Sequence, residues 1–181
     1  MFTFKDGSAA KTGRLTAGVA ALLLAAAGQS MADSGPSAYS MAVIQDDAYG
    51  TTVMSGDYAK GISKLTSFGG KRAKSFAANN NLCVAYTMTR DFDSAASACE
   101  AALTASEKYG KYADSPLNPY NSSRDQAMAY SNRGVLRAMT GDYDGAKQDF
   151  EYAAKLSKYL DAPADNLARL KTREATALSS L

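Results

Sequence analysis

The chain has 181 residues, 46% hydrophobic and 21% charged, an ordinary make-up for a soluble globular protein with room for one domain rather than two large ones. It contains no histidine, which excludes histidine triads, histidine general bases and histidine metal sites. Its two cysteines argue against a Cys-rich zinc module or a disulfide-dense mini-protein.

The first expected element is an export leader over residues 1–32. Lys5, Lys11 and Arg14 give a basic start, and Leu15 to Gly28 is an apolar run rich in Ala and Leu. Ser30 and Ala32 supply the small residues of a cleavage site. The run of about 14 residues is short of the roughly 20 that cross a bilayer, and no cysteine follows it for lipid attachment. Cleavage near Ala32 and delivery to the bacterial periplasm or the outside are expected, with no membrane insertion afterwards. Without residues 1–32 the chain keeps 17 basic and 17 acidic residues, so nucleic-acid binding has no compositional support. Residues 33–55 read as an irregular N-terminal segment, with short helical structure before a helix near Asp57–Thr66.

Three stretches then rhyme: Gly56-Asp57-Tyr58, Arg90-Asp91-Phe92 and Gly141-Asp142-Tyr143. The first two lie 34 residues apart and the last two 51 apart, which is 34 with 17 inserted. The insertion falls over Tyr109–Asp125, where Pro116 and Pro119 sit among Asn, Ser and Asp, a composition that helices avoid. After each rhyme, apolar residues recur at three- and four-residue steps, as in Tyr143, Ala146, Phe150, Ala153, Ala154 and Leu156. Asp57, Asp91 and Asp142 are suited to cap helix starts. Gly134, Ala146 and Ala153 are small enough for close helix approach. After Pro163 a last helix is expected, with Leu167, Leu170, Leu178 and Leu181 on one face and Asp165, Arg169, Lys171, Arg173 and Glu174 on the other.

A period of 34 residues resembles that of the tetratricopeptide repeat, a helix–turn–helix unit. The segment Ala127–Lys158 carries the likeness best. Tyr130 and Gly134 take the aromatic and glycine slots, Gly141-Asp142-Tyr143 the turn, and Ala146, Phe150 and Ala153 the small-aromatic-small slots. Arg133, Arg137 and Lys158 depart from the Leu, Tyr and Pro of the pattern. In Phe76–Tyr109, Leu82, Cys83 and Tyr86 fill first-helix slots, and Ala95, Cys99 and Ala102 fill second-helix slots. Gly61, Leu65 and Phe68 fit the second helix of a first, partial unit. The resemblance implies an all-α fold of TPR-like antiparallel helical hairpins, stacked as a short right-handed solenoid. The expected parts are a partial unit 56–75, a unit 76–109, a connection 110–126, a unit 127–160 and a capping helix 162–179.

The resemblance also places chemistry. Cys83 and Cys99 fall in slots that face across one hairpin; an oxidising compartment favours a disulfide, and two buried thiols are the alternative. A catalytic cysteine lacks a histidine base. Asn132-Arg133-Gly134 with Asp149-Phe150 implies an Arg133–Asp149 ion pair between two helices, against the alternative of an anion site made with Arg137. Asn79-Asn80-Asn81 suits either hydrogen bonding to a peptide backbone in a groove or a frayed helix start. Asp46-Asp47 and Asp91-x-Asp93 are too sparse for a calcium loop, and no phosphate-binding motif is present.

The family's first helices line a concave groove for an extended peptide or partner helix. Ala77, Asn80, Val84, Thr87 and Met88 are the groove candidates in one unit. Met128, Ser131, Val135, Ala138 and Met139 are those in the next. Three methionines make that surface adaptable, and it lacks the Lys and Arg of a carboxylate clamp. The function expected is therefore a non-catalytic protein–protein interaction scaffold of the bacterial envelope, without cofactor or metal, binding a protein or peptide. The alternatives are a self-associating structural protein, hence a homo-oligomer, or an accessory subunit of an envelope enzyme complex.

Overall fold

The rhyming turns are one backbone structure used three times. Gly56, Arg90 and Gly141 adopt left-handed φ values of 83°, 62° and 91°. The next amide in each case reaches back to a carbonyl in the preceding helix: Asp57 to Thr52, Asp91 to Tyr86 and Asp142 to Arg137. The same aspartates then cap the following helix, their carboxylates accepting the amides of Lys60, Ser94 and Gly145. Each turn thus closes one helix and opens the next within two or three residues.

The computed structural model describes residues 39–67, 69, 72–110 and 122–179, all within one compact unit, Gly35–Leu181. The helices are α1 (Gly50–Met54), α2 (Tyr58–Thr66), α3 (Phe76–Met88), α4 (Phe92–Gly110), α5 (Ser122–Thr140), α6 (Tyr143–Leu156) and α7 (Asp161–Ser179), with one 3-10 turn at Arg72–Lys74. Among the described residues there is no β-strand ladder, and no helix is long and apolar enough to cross a membrane.

Helices α3 and α4 pack as a hairpin, as do α5 and α6. Their short turns require antiparallel directions. The cross-links agree: Cys83 of α3 meets Cys99 of α4, and Arg133 and Arg137 of α5 meet Asp149 of α6. Helix α4 packs on α5 and α6 on α7, which joins the hairpins. A second set of contacts runs α1–α3, α3–α5 and α5–α7, so these helices form an inner layer behind which α2, α4 and α6 lie.

Small residues make the two layers close. Ala85, Ala95, Ala102, Ala138, Ala146 and Ala153 are all buried at the helix contacts. A Cβ on Gly134 would come within 2.6 Å of the Phe150 ring, so only glycine lets α5 and α6 approach at this level. Leu65, Val53, Val84, Phe76, Met128, Val135, Phe150 and Leu170 fill the remaining core.

Several expectations change. Within the segment expected to be irregular, residues 50–54 form α1, and residues 40–44 belong to no helix or ladder but are held by their backbone, as described below. Helix α5 starts at Ser122, so residues 122–126 of the expected connection are helical. Ser122 and Ser123 read locally as loop formers, yet Ala127, Met128 and Ala129 draw the first turns of α5 into the core. Leu178, placed on the apolar face of the last helix, is exposed, because α7 runs on beyond its buried anchor Leu170. The expected leader 1–32, Phe68, Leu181 and both prolines of the insertion lie outside the described residues.

Candidate functional site

The inner layer is not bare. Residues 40–44 cross it, and three asparagines, one from each long inner helix, hold alternate residues of this strand by their backbone, the period of an extended segment. The carboxamide of Asn166 in α7 accepts the Ser40 amide at 2.8 Å and donates to the Ser40 carbonyl at 2.8 Å. Asn132 in α5 accepts from Ala42 at 2.7 Å and donates back at 2.8 Å. Asn81 in α3 accepts from Ile44 at 2.9 Å and donates back at 3.0 Å. An asparagine amide carries one acceptor and one donor face, so each side chain satisfies both backbone groups of one strand residue. The strand runs from α7 to α3, opposite to the order of the helices.

Supporting bonds fix the ladder. Asn80 donates to the Ala42 carbonyl at 2.9 Å and accepts from Asn132 at 3.0 Å. Asn81 also reaches the carbonyls of Asp47 and Ala48, which ties down the corner after the strand. Asn79 turns away and bonds the Ser75 carbonyl in its own helix. Asn80, Asn81, Asn132 and Asn166 are fully buried, where an unpaired amide would be costly, and every one of them is paired.

The strand's side chains divide between two sides of the ladder. Ala42 and Ile44 pack on the cluster of Phe76, Leu103 and Met128. Tyr39 and Met41 pack with Val135, Ala138, Phe150 and Leu170, and Met41 and Val43 pack on the cluster containing Val84. The Tyr39 ring stacks on Phe150 at 6.1 Å. Burial raises the Tyr39 phenol pKa above its ordinary value, with Arg173 pulling the other way.

This placement corrects the picture of an open groove. Asn80, Val84, Thr87, Met128, Ser131 and Val135 are buried, and Met88 and Met139 are partly buried against neighbouring clusters. The Thr87 hydroxyl donates to the Cys83 carbonyl of its own helix, so it is committed there. The Ser131 hydroxyl is buried without a hydrogen-bond partner. Of the candidates, Asn80 reads the strand backbone directly. Asn81, weighed with its neighbours as a backbone-binding residue, does bind a backbone, while Asn132 and Asn166 were missed in that role, although the three stand 51 and 34 residues apart, the same spacings as the aspartate turns.

The other expected pairs are present. Cys83 and Cys99 form a disulfide between α3 and α4. Arg133 grips Asp149 through two bonds, Nε to Oδ2 at 2.9 Å and Nη2 to Oδ1 at 2.8 Å. Its remaining arm bonds Glu100 of α4 at 2.7 Å, and Arg137 adds a bond to Asp149 at 2.9 Å. The Asp149 hydrogen bonds push the Arg133 pKa further up despite burial, and Glu100 adds to the effect. Beside them lies a cleft of about 290 Å³ lined by Phe92, Asp93, Ala96 and Leu136 among others. Both guanidinium groups are spent on carboxylates, which leaves no charge for the anion site weighed as the alternative. Among the described residues no group of three or more Cys, Asp or Glu is placed to hold a metal ion.

Comparison with protein-family models, with curated proteins and with solved structures finds no match.

Proposed function

We propose that the chain is a non-catalytic protein-interaction scaffold of tetratricopeptide type, exported to an oxidising compartment of a bacterium. The reading rests on one observation above all: the inner helices present an amide ladder that grips an extended polypeptide by its backbone. Such a ladder tolerates varied side chains and selects for extension and for apolar residues that fit beside Phe76, Met128 and Val84. The repeat register, the inner and outer helix layers and the Cys83–Cys99 bond support the family and compartment readings. Residues 39–45 then stand where a partner's segment would lie, and a partner gains access by replacing them.

The test uses the chain from Asp33 onward and a fluorescent peptide of residues 37–46. Ala42→Pro removes the amide accepted by Asn132 and loosens the chain's own strand while leaving the helices intact. The tethered strand competes at millimolar effective concentration or above, so the wild-type chain binds the peptide weakly. The Ala42→Pro chain binds it at least tenfold more tightly, and adding Asn132→Ala abolishes the gain. Equal, weak binding by the wild-type and Ala42→Pro chains would remove the groove reading.

A further inference from the structure

In an extended segment, the N–H and C=O of successive residues point to opposite edges. Ser40, Ala42 and Ile44 turn theirs toward α7, α5 and α3, where Asn166, Asn132 and Asn81 meet them. The backbone groups of Met41 and Val43 therefore point away from the helices, and no described residue hydrogen-bonds to them. Both residues are half-buried rather than covered. The outward edge thus offers two residues, each with one donor and one acceptor that no described residue takes, spaced as in a β-ladder. An edge of this kind is a template for another strand.

The two open residues flank Ala42 symmetrically, so a second copy of this strand can meet the edge residue for residue. A copy of the same strand, turned about a two-fold axis at Ala42, runs antiparallel and sets Met41 opposite Val43 of the second copy. Each such pair exchanges both its N–H···O bonds, and the two Ala42 residues face each other between them. The edge is its own complement, as an isologous interface requires. The chain from Asp33 onward has 17 basic and 17 acidic residues, so no net charge drives two copies apart. The partly buried side chains of Met41, Ala42, Val43 and Ile44 gain further cover on the ribbon faces.

We infer that two copies of the chain associate inner face to inner face through antiparallel pairing of residues 41–43, each strand staying on its own asparagine ladder. This goes beyond the scaffold reading, in which the strand yields its place.

Sedimentation of the chain from Asp33 onward, disulfide intact, from micromolar to millimolar concentration tests it. The wild-type chain shows a monomer–dimer equilibrium. Val43→Pro deletes one outward amide but keeps the inward bonds of Ala42 and Ile44, and it weakens dimerisation at least tenfold while the dilute monomer still folds cooperatively. Ala42→Cys tests the register on an otherwise native chain. Opposed residues at this position have Cα atoms about 4.5 Å apart, within disulfide reach, so air oxidation gives covalent dimers. Ser40→Cys faces Ile44 of the second copy and does not cross-link. A wild-type chain monomeric at millimolar concentration overturns the inference. So does a folded Val43→Pro chain that dimerises as tightly as wild type, or Ser40→Cys cross-linking as readily as Ala42→Cys.

Discussion

Replacing Asp149 by alanine should unfold the α5–α6 hairpin more readily than any surface substitution. The carboxylate is 4% exposed and receives bonds of 2.9, 2.8 and 2.9 Å from Arg133 and Arg137. Its removal strips two neighbouring guanidinium groups of their shared buried counter-charge. What remains is Glu100 on Arg133 and Asp142 on Arg137, whose side chains are 61% and 54% exposed. Breaking a buried pair from one side costs about 3–5 kcal/mol, whereas an exposed pair contributes at most about 1 kcal/mol. For a unit of this length each kcal/mol moves the melting temperature by roughly 2–4 °C, so Asp149→Ala should lower it by about 10 °C. Glu100→Gln, measured by the same calorimetry, should shift it by no more than a few degrees. Removing both sides together, as in Arg133→Met with Arg137→Met and Asp149→Leu, should recover much of the loss, since no charge is then stranded. An Asp149→Ala chain that melts within 2 °C or so of wild type would refute this account of the cluster.

Further outcomes follow from the same packing. Gly134→Ala drives a methyl into the buried Phe150 ring and should cost about 1–3 kcal/mol, read by denaturant titration. Removing the disulfide with paired Cys83→Ala and Cys99→Ala, which opens a loop with a sequence separation of 16, should cost roughly 3 kcal/mol. Reductant should then lower the melting temperature of wild type but not of the double variant. Tyr39 has a folded-state pKa raised by burial, so its contribution to stability is intact below the ordinary phenol range and is lost as pH rises through the raised value. Unfolding curves taken from neutral pH to above pH 10 should therefore fall more steeply for wild type than for Tyr39→Phe.

Local order was plain in the sequence wherever its cause was local. The rhyming turns, the capping aspartates and the apolar steps of α6 all act within a few positions of each other. The likeness to a repeat pointed to Cys83 with Cys99 and to Arg133 with Asp149 before any coordinates, because both links cross a single hairpin. The strand at 39–45 has no such signature. Ser40 meets Asn166 across 126 residues, and nothing near it in the chain reports that contact. The asparagines were legible in principle through their repeat spacing. Asn81 was noted only as one of a run of three whose separate roles the sequence does not distinguish, while Asn132 drew notice only as the neighbour of Arg133. The start of α5 was missed for a related reason: its first turn is polar, and burial of the residues after it decides its state.

Residue-resolved hydrogen exchange across Tyr39–Gln45, on a chain dilute enough to be monomeric, bears most directly on the asparagine ladder. Amides bonded to buried acceptors should exchange slowly, and those on the open edge quickly. The ladder predicts protection at Ser40, Ala42 and Ile44, fast exchange at Met41 and Val43, and loss of the Ala42 protection in Asn132→Ala. Uniformly fast exchange through all five positions would contradict it.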